Sequence, residues 1–362
     1  MTVDSATPRR KPPHGSPRAS SRTPQLRRIL PRVLGNHALL ILLVLIVVGF
    51  TIARPRTFPT SLTFQGILAD KTVILLLALG LLFPLATNNF DISIGYMVAL
   101  TNSLAMGFQI KSGLSWEVSV VLVLVIGLCL GFFNGMLIAY ARIDSFIATL
   151  GSGTLFFGVA NWYTGGLQIS AVPPRGKPAS ATYLNLASNW LGIPKIAWFA
   201  ALLAIILWIV FEYLPAGRRL YAIGANRRAA DLSGINSRRL IIIAFGMSGL
   251  LAAIVGIFLA AQLQIGQATT GPDYLLPAFA AILLGATSVR PGRVNVWGTV
   301  IAVSLLAVAI AGLQQFGAQF YVESVFNGSM VIIAVGAAGY VIRRRVGAMR
   351  GSTESQSADV GV

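Results

Sequence analysis

The sequence predicts an all-α, polytopic helical membrane protein of about ten spans, and three observations carry that prediction. Of 362 residues, 55% are apolar and only 11% charged, whereas soluble domains carry about a quarter charged. Most of the chain falls into apolar runs of the length that crosses a hydrocarbon core of roughly 30 Å, about 20 helical residues. The alternation of a membrane β-barrel is absent, and in lipid the backbone must pair within the segment, so the runs are expected to be helices.

Residues 1–36 are rich in Pro, Ser and Arg (Pro8 to Lys11, Arg27, Arg28, Arg32) and are expected to be a disordered, basic cytoplasmic tail. The run Leu39 to Phe50 has the look of a signal-peptide core, but Arg54-Pro55-Arg56 and the many runs beyond it favour an uncleaved first span. Spans are placed at 37–53, 66–86, 92–110, 117–140, 145–163, 195–214, 239–262, 273–288, 295–313 and 323–342, within a transmembrane domain of 37–342. The eighth is short enough to be broken or re-entrant. Residues 343–362 form a second cytoplasmic tail.

The net charge of +17 sits in the segments between apolar runs, where it reports orientation rather than nucleic acid. With the N-terminus inside, 21 of the 28 Lys and Arg lie on the cytoplasmic side, which supports an even number of spans with both termini inside. Two hydrophilic stretches stand out: 164–194 outside and the arginine-dense 215–238 inside. Cys129 is expected to be a small buried hydrophobe.

Within the inner stretch, Asn226 suits a helix N-cap and Gly234 the left-handed residue that ends a helix. The two turns between them are too short to hold alone in water. Arg227 and Arg228 lie at the positive end of the dipole, and the Arg227–Asp231 pair has the weaker i,i+4 order. Such a helix is either held by contacts, as a coupling helix seated on a cytoplasmic ATPase would be, or is a basic loop that only enforces topology.

Thr87 to Gly95 sets Asn88, Asn89 and Asp91 between two apolar runs. A charge near the bilayer centre costs roughly 2.5–3.5 kcal/mol on insertion scales, so Asp91 either faces a translocation pathway or the ends of a broken helix, or caps the third span at the surface. Asn134 and Asn161 add polar groups that need partners, interhelical or solute. Gly127, Gly131 and Gly135, and Ser248, Ala252 and Gly256, form small-residue stripes suited to helix packing. The chain has no Gly-x-x-x-x-Gly-Lys-Ser/Thr, and its two histidines, His14 and His37, lie in or beside the tail. Acids other than Asp91 are placed at span ends, which disfavours an ion-coupled secondary transporter and points to an energy source outside the chain.

With these residues in view, the chain resembles the ribose/xylose/arabinose-type permeases of bacterial ABC sugar importers over roughly 60–342. Asn89-Phe90-Asp91-Ile92-Ser93-Ile94-Gly95, Asn134-Gly135-Met136-Leu137-Ile138-Ala139, Ser145 to Gly151 and Leu284 to Ser288 carry the likeness. The strongest phrase is Tyr221 to Asn226 followed by Ala229 to Asn236. The family's Gly-Gly before Ile-Asp is Asn88-Asn89 here, and its Gly-Gly-Arg-Gly is replaced by Val289 to Asn295.

The resemblance implies a non-enzymatic permease subunit in the bacterial inner membrane, carrying a monosaccharide of the pentose type. ATP and Mg would be bound by a partner ATPase, with no cofactor in this chain. The ATPase would meet Gly224, Asn226, Arg227, Arg228, Ala229, Ala230, Asp231, Ser233, Gly234 and Asn236. A sugar-binding protein would dock outside, and a second permease copy would complete a homodimer.

Overall fold

The structure, a computed structural model, describes residues 26–319, 321–333 and 336, with side chains from 37 onward. Helices fall on every predicted span: α1 (Leu26–Ala53), α2 (Ser61–Ala86), α3 (Ser93–Ile110), α4 (Trp116–Ala139), α5 (Ser145–Thr164) and a short α6 (Ala181–Leu184). They continue with α7 (Lys195–Glu212), α8 (Pro215–Ala225), α9 (Arg227–Leu232), α10 (Ser237–Leu263), α11 (Leu275–Gly285), α12 (Val296–Gln315) and α13 (Tyr321–Ile333). By length and composition, α2, α4, α7, α10 and α12 are long and apolar enough to cross a membrane.

The helix boundaries follow local chemistry. Thr60, Ser115 and Asp144 accept from the first-turn amides of α2, α4 and α5, and Gly165 ends α5 in the left-handed region. Asn295 does more than cap α12. Its Oδ1 accepts from the Gly298 amide at 2.7 Å, while its Nδ2 donates to the carbonyls of Ser288 and Arg293 at 3.2 Å, fixing the turn before the helix.

The core lies where α2, α3, α10, α11 and α12 meet. In α4 the buried residues are largely one row, including Gly127, Gly131, Asn134, Gly135 and Ile138. Cys129, expected to be buried, is exposed on α4. Two residues along a helix is a turn of about 200°, so Cys129 faces away from the Gly127 row.

Two further expectations change. Residues 26–36, expected to be disordered, lie in α1; Leu26, Ile29, Leu30, Val33 and Leu34 recur at helical spacing, a signal that the basic composition masked. Residues 1–25 and the tail 343–362 lie outside the described residues, as does much of the tenth span beyond Ile333. Helix α2 begins five residues before its predicted start, which moves Asp70 and Lys71 from a span end into the span.

The hydrophilic stretch 164–194 is ordered by short strand pairs. Asn189–Trp190 pairs with Ile193–Pro194 through Leu191 and Gly192, both at positive φ, the backbone of a tight hairpin. The Tyr183 hydroxyl donates to the Ile257 carbonyl at 2.8 Å, and Ile169–Ser170 pairs with Ile265–Gly266.

The eighth span is broken, as its length suggested. From Gln264 (φ 57) to Tyr274 the chain is mostly irregular, and only Leu275–Gly285 is α-helical. That half-helix is about 16 Å long, half a hydrocarbon core. Irregular backbone at that depth needs partners from side chains. Asn102 of α3 supplies them, accepting from the Gln267 amide at 2.9 Å and donating to the Ile265 carbonyl at 3.4 Å. Close approach comes from glycine: a Cβ at Gly271 would strike the Gly95 carbonyl.

Candidate functional site

A second break, at residues 87–92, holds a buried carboxylate. Pro84 near the end of α2 accepts from the Thr87 and Asn89 amides, both at 3.0 Å, and Asn88 turns the chain through φ 58. The chain then runs inward to Asp91, which is fully buried. Ser93 donates to Asp91 Oδ1 at 2.5 Å, and Ser248, eleven residues into α10, donates to Oδ2 at 2.7 Å. Asn134 of α4 donates to Ser93 Oγ at 2.7 Å. The freed amides of the break are taken by α5: Phe90 N–H donates to Ser145 Oγ and Ile92 N–H to Thr149 Oγ1, both at 3.1 Å.

Asp91 accepts from the Ser93 hydroxyl at the start of α3 and from the Ser248 hydroxyl of α10, and so ties the two helices together inside the protein. It does not line an open path in this conformation, and neither does Asn134, which is also fully buried. Asn161 donates to the Phe157 carbonyl at 2.9 Å within its own helix. Asn88 and Asn89, two of the five residues expected along a pathway, line a cleft of about 420 Å³ together with Arg142, Asp144, Arg227 and Asp231.

The small-residue stripes pack, but not against each other. Cβ atoms at Gly127, Gly131 and Gly135 would strike Gly249, Phe245 and Ile242 of α10, respectively. The α10 stripe faces α3 instead: Ser248 reaches Asp91, the Ala252 carbonyl accepts from Thr101 at 3.4 Å, and Gly256 packs on Thr101. Helix α10 thus carries two small faces, and Gly246 and Gly249, on the face toward α4, were not recognised in the sequence.

Against the break lies the helix pair α8 and α9. Asn226 closes α8 and opens α9, its Oδ1 accepting from the Ala229 amide at 3.0 Å. Arg227 and Asp231 both turn to Ser237 at the start of α10. Arg227 Nε donates to its hydroxyl and the Asp231 carboxylate accepts its amide, both at 3.2 Å. The Ser237 hydroxyl, and after it the Ser237 amide, hold the Asp231 carboxyl below its ordinary value of 3.8. Gly234 (φ 82) turns the chain back, and the Ile235 amide donates to the Ala230 carbonyl at 3.1 Å.

Ala230 is buried in a small core with Ile138, Ala148, Ile223, Ile241 and Phe245. Arg227, Arg228, Ala229, Asp231, Ser233 and Asn236 are exposed, and Leu232 is 86% exposed. At the end of α8, Gly224 lies against the Ala86 carbonyl and the Asn88 amide, where a Cβ would collide.

The arginine turn that departs from the family phrase is anchored to the same helices. Arg290 and Arg293 pair with Glu212 at the end of α7, the Tyr221 hydroxyl donates to the Val294 carbonyl at 2.7 Å, and Arg293 stacks 4.1 Å from the Tyr221 ring. Sequence reading left these residues without a role. Pairing across such separations has no local signal.

Residues 63–335 match the family described as branched-chain amino acid transport system / permease component. The chain is 35% identical over 303 residues to the ribose import permease protein RbsC of Bacillus subtilis, covering 83% of this chain and 91% of that protein. It is 31% identical over 311 residues to the ribose import permease protein RbsC of Escherichia coli K12, covering 83% and 92%. To the autoinducer 2 import system permease protein LsrC of Photorhabdus laumondii it is 32% identical over 251 residues, covering 69% and 73%. No solved structure matches the chain.

Proposed function

We propose that this chain, which belongs to the branched-chain amino acid transport system / permease component family, is the membrane permease subunit of an ATP-driven importer that carries a monosaccharide. The observation that carries the mechanism is the contact of Gly224 with the Ala86 carbonyl. It lies between the exposed helix α9 and the break that holds Asp91. A load applied to α9 from the cytoplasm passes through Asn226 and Gly224 to residues 86–91, and from there to α3, α5 and α10.

In this reading α9 seats in a groove of a partner ATPase, which binds ATP and Mg. Leu232 and Ala229 enter the groove, and Arg227 and Asp231 remain fixed to Ser237 so that α9 moves with α10. Two permease copies switch together from inward- to outward-facing when the ATPases close. A binding protein delivers the sugar to the opposite side. A pentose-type sugar fits the ribose import named in two relatives. The membrane is the bacterial inner membrane, with both termini cytoplasmic.

The test is cross-linking of Ala229→Cys or Leu232→Cys to a co-purified ATPase, in a Cys129→Ala background, across nucleotide states. A nucleotide-dependent cross-link supports the reading. Absence of contact in every state, or sugar uptake that persists without ATP, overturns it.

A further inference from the structure

A cleft of about 430 Å³ opens between α2, the Pro272–Tyr274 turn with α11, and α13, and neither Asp91 nor any residue of α9 is among its lining. Its size falls in the range of about 300–1,000 Å³ usual for small-molecule sites. At its inner end is Lys71, ten residues into α2, so roughly 15 Å along that helix. An ionisable side chain at that depth is expensive to keep and usually marks a functional site. Lys71 lies 2.7 Å from both Asp70 and Glu323, and its side chain is only 10% exposed.

A second, independent feature points to a ligand. Asn327 of α13 lines the same cleft, is 4% exposed, and its Oδ1 has no hydrogen-bond partner. A buried amide oxygen left unpaired is costly, and a donor entering the cleft would recover that cost. Asp273 and Tyr274 stand on the facing wall.

The three carboxylates alone would suit a cation, but Lys71 already occupies the inner end and bridges two of them. Among the described residues, no group of three or more His, Cys, Asp or Glu side chains could hold a metal. What the inner end lacks is a neutral donor. A hydroxyl provides one, and its oxygen can in turn accept from Lys71.

We propose that this cleft binds a neutral polyhydroxylated solute, with the Asn327 amide oxygen and the Asp70 and Glu323 carboxylates as acceptors. The choice of solute rests on the importer reading; the cleft and its unpaired amide do not.

The test uses purified full-length protein with Cys129→Ala and Ser324→Cys, Ser324 being an exposed residue of the cleft. The rate of thiol labelling is measured with and without D-ribose, and Gly113→Cys, on the turn after α3, serves as the control position. Ribose is expected to slow labelling at 324 by about fivefold once its concentration is several times a millimolar-class Kd, and to leave position 113 unaffected. Asn327→Leu should abolish that protection, and Asn327→Asp, which keeps an acceptor, should retain it.

The proposal is overturned by absence of protection from ribose, xylose and arabinose alike, by protection indifferent to Asn327→Leu, or by protection from ethanolammonium in place of the sugars. The labelling needs neither ATPase nor binding protein. Its failure is therefore separate from failure of the importer reading, which the α9 cross-link reports.

Discussion

The Ser248 hydroxyl donates to the Asp91 carboxylate at 2.7 Å, joining the break between α2 and α3 to the middle of α10. The bond links residues 157 apart in sequence, and both are fully buried. A carboxylate inside the protein is tolerable only with its oxygens satisfied, and each one here receives a hydroxyl.

Ser248→Ala removes one donor and leaves a buried carboxylate oxygen unpaired. The expected loss is about 1.5–3 kcal/mol, since hydrogen bonds to charged groups lie at the upper end of the scale. Thermal unfolding of the purified protein reads it, and Ser248→Thr, which keeps the hydroxyl, should recover much of the loss. An unchanged midpoint in Ser248→Ala would show that Asp91 does not need this bond.

Gly131→Ala puts a methyl against the Phe245 carbonyl, where backbone rather than a movable side chain is in the way. Overpacking of this kind costs about 1–3 kcal/mol. Gly151 of α5 has nothing within 4 Å of a Cβ, so Gly151→Ala should be neutral or stabilising by up to about 1 kcal/mol through helix propensity. The ordering of the two midpoints in one detergent tests whether the α4–α10 contact is as close as described.

Gly224→Val is expected to push α8 off the end of α2 while leaving the Asn226 cap and α9 in place. Under the importer reading, ATP-dependent uptake falls at least about tenfold, equivalent to 1.4 kcal/mol of barrier, with co-purification of the ATPase retained. Full uptake in this variant would place the force path elsewhere.

The Asp231 carboxyl is held low chiefly by its hydrogen bond from Ser237, with smaller help from Arg227 and Arg238. Because the folded value is depressed, the contribution of this cap is present above the unfolded value near 3.8 and is lost as pH falls through the lower folded one. The protection factor of the Ser237 amide should therefore be flat from neutral pH down to about 4 and collapse below it. In Asp231→Asn the protection should be lower throughout and independent of pH. A collapse already complete at pH 5 would contradict the assigned bond.

The span pattern was legible because hydrocarbon thickness fixes the length of an apolar run. The cap chemistry of Asn226 and the turn at Gly234 were legible for a similar reason: each acts on residues three or four positions away. Lys71 was not. Its position depends on where α2 begins, and Thr60 moved that start outward by capping from beyond the apolar run. The hairpin at Leu191 and Gly192 escaped because leucine at positive φ is a choice that tertiary context imposes.

By itself, then, the sequence determined a polytopic helical membrane protein, a short capped helix between Asn226 and Gly234, and two rows of small residues. Those follow from rules that act over one or two turns, or from the solvent a segment must match. Only the tertiary structure decided that the two rows face different neighbours, that Asp91 clamps α3 to α10, and that Gly224 lies on the end of α2. Each of those is a pairing between helices far apart in the chain, and in lipid such pairings are selected by close packing and buried hydrogen bonds, which leave no period in the sequence.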